Sequence, residues 1–466
     1  MPVRPDPLAA RDPAPRDFAQ LQSWLEREHV AEVECLVPEL SGVARGKILP
    51  RRRFAADRGM RLPESILGLN ITGNWPAHER MAELISDADN DLHLVPDPST
   101  VRHVPWAAGP TAQVIHDCCF PDGREVDYAP RNVLKRVLRL YEQRGWEPVV
   151  APEVEFYLVA RNPDPGQPLR PPPGRSGRAE TSRQPYSLDA LREFDGLLQD
   201  LYAYCEAMRL DADTLIHELG AGQMEINFPH GKALDLADQV YLFKRALREA
   251  ALRHGLYATF MAKPMSGEPG SAMHLHQSVV DRASRANLFS LPEGSPAPAL
   301  HHYIGGLQRY LPHALALFAP YVNSYRRLAG EGDAPVNVEW GRDDRSTGIR
   351  VPGSDPRNRR VENRVPGADA NPYVAMAASL ACGYLGLVGR IEALPERDPR
   401  AQGLLPAIEL PRDLPAALHL LGQAPELEDL LGPRFCAIYK AVKTSEQAEF
   451  MQVISAWERE HLLLHV

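Results

Sequence analysis

Glu153 and Glu155 sit two residues apart in Ala151-Pro152-Glu153-Val154-Glu155-Phe156-Tyr157-Leu158-Val159, a stretch with the texture of a strand. Alternate residues on a strand share a face, so both carboxylates project side by side while Val154 and Phe156 turn the other way. Two like charges held that close cost free energy unless a cation lies between them or one is protonated. The same i, i+2 arrangement recurs in His274-Leu275-His276 and Glu362-Asn363-Arg364, and Glu218 and Glu225 flank a turn built on Gly220 and Gly222. On one straight strand Glu218 and Glu225 would face opposite ways; a hairpin at the glycines returns both to a common side. Glu153, Glu155, Glu218, Glu225 and Glu362 with one imidazole form an oxygen-dominated donor set. Such a set suits two hard divalent cations, Mg²⁺ or Mn²⁺, rather than zinc. For any one of these glutamates the competing reading is a solvated strand face.

A cationic group follows. Arg327, Arg345, Arg350, Arg360 and Arg364 crowd into residues 327–364 of a chain whose net charge is -9. The planar guanidinium fork matches carboxylate and phosphate. Paired metals with arginines are the equipment of phosphoryl transfer, where charge on the moving group must be neutralised. No Walker-type Gly-x-x-x-x-Gly-Lys-Ser/Thr is present, so a nucleotide is expected to be held by metals and arginines. The acidic balance argues against nucleic acid or an anionic membrane as the main partner.

The elements that must position these groups are readable in outline. Residues 1–17, rich in proline and charge, read as a flexible tail without the apolar core of a secretory signal. A helix is expected over 18–29, then short strands at 32–37, 92–95 and 113–116, making a small strand-rich domain over 18–127. The larger domain, 128–466, opens with a helix from Pro130. It continues with a strand at 149–160, a Pro/Gly/Arg-rich surface excursion at 161–186 and a helix at 187–208. Strand-turn-strand is expected at 214–228, a helix at 234–254, the strand bearing His274 and His276, and a mostly helical C-terminal hundred. The uncharged run 371–389 is long enough to span a membrane, but Asn371-Pro372 is a helix cap and first-turn proline, which predicts a buried core helix. The six cysteines include no Cys-x-x-Cys pair and read as reduced thiols of a cytoplasmic protein.

Met273-His274-Leu275-His276-Gln277-Ser278, Asn323-Ser324-Tyr325-Arg326-Arg327-Leu328, Ala334-Pro335-Val336-Asn337, Arg345-Ser346-Thr347-Gly348-Ile349-Arg350 and Arg360-Val361-Glu362-Asn363-Arg364 occur in one order. In that order the chain resembles the glutamine synthetase superfamily from about residue 31 to its end. The resemblance implies an α+β fold: a small β-grasp N-terminal domain, then a catalytic domain with a curved antiparallel sheet flanked by helices. It also implies a homo-oligomer, a dodecamer of two stacked hexamers with active sites between subunits. Carried over by position, Glu155, Glu218 and Glu225 match the ligands of one metal, and Glu153, His274 and Glu362 those of the other. Arg327, Arg364 and the Gly270 backbone match the glutamate contacts. Arg345 matches the transition-state arginine and an ATP contact, and Arg350, His276 and Ser278 match further ATP contacts.

The departures bear on the nucleophile. Ammonia-using members place a glutamate six residues after the arginine of Tyr-Arg-Arg-Leu, where this chain has Asp333. Their aromatic-Asp-Gly-Ser-Ser loop is replaced by Leu62-Pro63-Glu64-Ser65-Ile66, and whether Glu64 takes the aspartate's role is left open. Asn-Gly-Ser-Gly becomes Pro269-Gly270-Ser271-Ala272. Ammonium recognition needs close, correctly spaced carboxylates, so a larger amine is expected. The chain looks most like the γ-glutamylpolyamine (γ-glutamylputrescine) synthetase branch, which implies a ligase joining the γ-carboxylate of L-glutamate to a primary amine through a γ-glutamyl phosphate, with Asp333 handling the incoming ammonium. The alternatives are a glutamine synthetase using ammonia, a non-catalytic structural relative, and a guanidino kinase of similar fold.

Overall fold

The computed structural model describes residues 14–76, 81–86, 88–181, 183–329, 334–398 and 409–466. Helix Phe18–Arg27, capped by the Asp17 carboxylate on the Gln20 amide, buries Leu21, Trp24 and Leu25. Six strands follow: β1 (Glu32–Pro38), β2 (Ala44–Pro50), β3 (Met60–Pro63), β4 (Asp91–Pro96), β5 (Arg102–His103) and β6 (Thr111–Cys119). They form one sheet in the order β2-β1-β6-β4-β3, with β5 on β6. β1 and β6 run parallel at its centre and contribute the buried Val33, Cys35, Val114 and Ile115.

The second sheet holds nine strands: β7 (Trp146–Ala160), β8 (Thr214–His217), β9 (Gln223–Asn227), β10 (Gly231–Lys232), β11 (Leu256–Thr259), β12 (Met273–Asp281), β13 (Trp340–Arg342), β14 (Ile349–Val351) and β15 (Val361–Asn363). Its order is β13-β14-β15-β12-β7-β9-β8, with β10 and β11 also on β7. The sheet is curved and nearly closed. It is antiparallel except for β13 and β14, which run parallel, the chain between them turning at Asp343 with φ 51°.

Period two governs β7. Val150, Val154, Phe156 and Leu158 are buried at its back, where Phe156 meets Phe243 of helix Ala233–Arg253 edge to face. Burying a side chain of this size contributes roughly 1.5–3 kcal/mol, which fixes the strand's orientation and sends Glu153 and Glu155 to the opposite face. The apolar run is an internal helix, Pro372–Gly389, capped by Asn371 on the Tyr373 amide. It is long and apolar enough to cross a membrane, yet 83% of it is buried inside the protein. Its Ser379 accepts hydrogen bonds from Gln277 and Asn363 at 2.8 and 2.9 Å, so β12 and β15 are pinned from behind. Gly306 and Gly386 let helices Pro298–Phe318 and Pro372–Gly389 approach at backbone distance, where a Cβ would collide with the opposite main chain.

Two expectations shift. The helix expected over 187–208 is interrupted: Leu188–Arg192 and Asp195–Ala207 flank a turn at Glu193 and Phe194. Glu193 is drawn away because its carbonyl accepts from the Arg175 amide and its carboxylate from the Ser176 amide. The central strand is also longer than expected, starting at Trp146. The first sheet is tied to helix Ala233–Arg253 by Arg131, whose guanidinium binds Asp97, Asp117 and Asp238 at 2.7, 2.6 and 2.8 Å. Tyr373 donates to the same Asp238 at 2.6 Å.

Candidate active site

Strand register assembles the site. His274 lies opposite Glu153, His276 opposite Glu362, Glu225 opposite Glu155, and Arg350 opposite Glu362. Residues two apart stay on one face, so Glu153, Glu155, Glu225, His274, His276, Glu362, Arg364 and Arg350 share one side of the sheet. Ser278 continues that face of β12, half-buried opposite Val149.

Two donor groups lie on this face. The ligand atoms of Glu153, His274 and Glu362 fall within 4.8 Å of one another, as do those of Glu155, Glu225 and His274. His274 is thus common to both. Glu218, at the start of the glycine turn, stands outside the second group, and its charge still acts on Glu155 and Glu225. Gly222 adopts φ +77°, and a Cβ at Gly220 would collide with the Tyr157 hydroxyl. Both glycines are therefore required for the turn that faces Glu225 toward Glu155.

The electrostatics of the two groups differ. Burial opposes the charge on Glu362, but His274, His276 and Arg364 overcome it and hold the carboxyl at about 2. Arg350 and Arg364 bind its two oxygens at 2.7 and 2.6 Å. Burial likewise opposes the charge on Glu153, and hydrogen bonds from His274 and His276 keep its carboxyl well below the usual range. Arg360 Nε donates to His276 Nδ1 at 3.2 Å, so His276 presents Nε2–H to Glu153 at 3.0 Å. Burial and the Arg364 charge hold His274 below its ordinary value, which favours the imidazole form that binds a metal. In the second group burial, then the Glu218 charge, push Glu155 up to about 8. Burial and the Glu153, Glu155 and Glu218 charges push Glu225 up to about 9. Glu218 is raised too, chiefly by burial, with Arg345 acting against it.

Carboxyls that face one another, buried and short of cations, fit a divalent ion: its charge removes the repulsion that raises them. The oxygen-rich donors match Mg²⁺ or Mn²⁺. Around them, Arg327 is 5% exposed and is anchored by donating to the Val365 and Arg364 carbonyls at 2.8 and 3.1 Å. Gly270 packs against its side chain so closely that a Cβ would collide with it. Arg345 is exposed. Asp333 lies outside the described residues.

Glu64 is turned into the interior of its own chain. It is 4% exposed, accepts from the Tyr128 hydroxyl and pairs with Arg434 at 3.0 Å. Gln223 is a site residue that motif reading passed over: its amide reaches Glu155 at 3.3 Å and the Gly270 carbonyl at 3.0 Å. Its position directly after the glycine turn was the available signal.

A family profile described as "Glutamine synthetase, catalytic domain" matches residues 127–462. The chain is 34% identical over 452 residues to the gamma-glutamylputrescine synthetase PuuA of Escherichia coli K12, covering 95% of this chain and 94% of that protein. It is 31% identical over 385 residues to a glutamine synthetase of Methanosarcina mazei, covering 79% and 83%. With a glutamate–isopropylamine ligase of a Pseudomonas species it shares 29% over 465 residues, covering 95% and 97%. Among solved structures, a GmaS/ADP complex superposes with TM-score 0.83 at 28% identity, over 96% of this chain and 100% of that one. The sheet that gathers carboxylates, imidazoles and arginines on one face is therefore that of a ligase relative, and the chain belongs to the glutamine synthetase family.

Proposed function

We propose that this protein is an ATP-dependent ligase that joins the γ-carboxylate of L-glutamate to a primary amine larger than ammonia. The observation that carries the reading is the single sheet face on which two acidic donor groups adjoin Arg327, Arg350 and Arg364. The chemistry proceeds in two displacements. A glutamate γ-carboxylate oxygen attacks the γ-phosphorus of ATP and ADP leaves. The amine nitrogen then attacks the acyl phosphate carbon, phosphate leaves, and the nitrogen loses its proton.

Glu155, Glu218 and Glu225 would hold one divalent cation and Glu153, His274 and Glu362 the other. Such ions supply Lewis-acid neutralisation of phosphate charge. Arg327 and Arg364, with the Gly270 backbone, hold glutamate; the fixed Arg327 fork needs no reorganisation to receive a carboxylate. Arg350, His276 and Ser278 contact ATP, and Arg345 neutralises charge in the phosphoryl transition state. Asp333 attracts the protonated amine and takes its proton once the amine is desolvated. Glu64 is engaged with Tyr128 and Arg434, which leaves the N-terminal loop without the family's ammonium-side carboxylate and supports a larger nucleophile. The exposed apolar tail, with Trp457, Leu463 and Leu464 at 62, 74 and 88% exposure, supports assembly into a ring oligomer.

The test is incubation with L-glutamate, ATP and Mg²⁺ against ammonia, ethanolamine, isopropylamine and putrescine, reading phosphate release and product mass. A γ-glutamyl amide of one of the larger amines is expected. Turnover with ammonia alone would make the protein a glutamine synthetase. Absence of phosphate release with every amine would place it with the non-catalytic relatives.

A further inference from the structure

The sequence predicts a surface excursion at residues 161–186, yet one of its carboxylates, Glu180, is 8% exposed and buried against the site's hairpin. The turn between β8 and β9 presents three consecutive amide groups, Gly220, Ala221 and Gly222. Each finds a side-chain acceptor. Gly220 donates to Gln223 Oε1 at 3.0 Å, Ala221 to Glu268 Oε2 at 3.0 Å, and Gly222 to Glu180 Oε2 at 2.7 Å. The two bonds to carboxylates are charge-assisted and about twice as strong as neutral ones. The same Glu180 oxygen lies 3.2 Å from Nε2 of the fully buried His217, whose Nδ1 faces the Glu218 carbonyl at 2.7 Å. The other Glu180 oxygen accepts from Gln184 at 3.2 Å. The excursion is stitched down on either side of Glu180: Ala160 donates to the Arg170 carbonyl and Tyr186 to the His217 carbonyl.

We propose that Glu180 and Glu268 are positioning residues for the metal-binding hairpin, two carboxylates from separate loops that fix where Glu218 and Glu225 stand. This inference rests on the reading of Glu218 and Glu225 as ligands. The two clamps are not equivalent. Among the described residues Glu180 bonds to the hairpin and to Gln184 of its own loop, whereas Glu268 lies two residues before Gly270 on a loop whose Pro269 and Gly270 carbonyls accept from Tyr157 and Gln223. Arg183 of the excursion reaches the Gly267 carbonyl at 3.4 Å, so the three segments form one latch. Loss of Glu180 frees the metal hairpin alone; loss of Glu268 also frees the backbone read as the glutamate contact.

The test uses full-length protein, with Mn²⁺ binding followed by electron paramagnetic resonance alongside steady-state kinetics. Removing groups that orient metal ligands typically weakens binding by about 10–100-fold. Glu180→Ala should weaken one Mn²⁺ by that order, leave the other unchanged, and raise the Mg²⁺ requirement with little change in the glutamate KM. Glu180→Gln keeps an oxygen for the Gly222 amide and should restore most of the affinity. Glu268→Ala should weaken the same ion and raise the glutamate KM as well. Thermal unfolding in EDTA confirms that each variant is folded. Wild-type Mn²⁺ binding in both alanine variants would overturn the inference while leaving the site reading intact. A wild type that binds no Mn²⁺ would overturn the site reading and the inference with it. Equal effects of both variants on glutamate KM would overturn the division of labour between the clamps.

Discussion

The two acidic groups on the sheet face share a histidine and differ in what surrounds them. Around Glu153 and Glu362 the protein supplies its own cations and donors: Arg350, Arg364, His276 and, behind it, Arg360. Those carboxyls are ionised without help. Around Glu155 and Glu225 burial and the charges of other carboxylates outweigh the pull of Arg327 and Arg364 on Glu155, and both are pushed up, to about 8 and about 9. One half of the site is assembled by folding; the other holds crowded carboxyls whose repulsion is relieved by a proton or by a bound cation. The difference teaches that ligand identity alone does not set the order in which a site is completed, because the neighbours decide which carboxylates are already charged.

The largest effect should come from the pre-charged half. Glu362→Ala strands the Arg364 guanidinium and leaves Arg350 with Asp343 alone, and breaking a buried ion pair by removing one partner costs about 3–5 kcal/mol. Phosphate release should fall to background at saturating Mg²⁺, and unfolding by urea should shift to lower concentration. Glu153→Ala should abolish phosphate release in the same way. Turnover like that of the wild type in either variant breaks the two-metal assignment.

In the other half the same kind of change should separate binding from stability. Glu225→Gln replaces a carboxyl that already carries its proton in the metal-free chain. Metal-free stability should change by less than about 1 kcal/mol, while one of two Mn²⁺ ions is lost. A large loss of metal-free stability would show that Glu225 is ionised before metal arrives, and the contrast would collapse.

A pH series sharpens the same point. The folded values of Glu155 and Glu225 lie above their ordinary 4.5, so between about 4.5 and 9 these two groups hold more protons in the folded chain than in the unfolded one. Stability contributed by these groups therefore falls as pH rises through that window. Mg²⁺ displaces those protons, so its stabilisation should be larger at pH 8.5 than at pH 6, and its uptake near pH 7 should release protons measurable in weak buffer. A stabilisation independent of pH would contradict the raised carboxyls.

The smallest expected effect concerns a carboxylate outside this field. Glu64→Gln removes a charge paired with Arg434 and should cost roughly 1–3 kcal/mol of stability. Metal affinity and amine choice should stay as they are. A change in the preferred amine would return Glu64 to the nucleophile's side of the site.

The sequence by itself determined which residues face together within each strand. Glu153 with Glu155, His274 with His276 and Glu362 with Arg364 follow from period two and from the residues between them: apolar Val154 and Leu275, buried at the back, and Asn363, whose buried amide donates to Ser379. It also determined that 371–389 is an internal helix, because its cap and small residues suit close packing. Only the tertiary structure decided the pairing between strands: that His274 stands opposite Glu153, and that Glu225 rather than Glu218 lies against Glu155. It alone turned Glu64 inward and carried Glu180 from an arginine- and proline-rich excursion onto the β8–β9 hairpin. The reason is physical. Facing along a strand is a local property of the backbone, fixed by two-residue geometry. Register, burial and the charge of a carboxyl depend on groups tens to hundreds of residues away, and no local pattern records them.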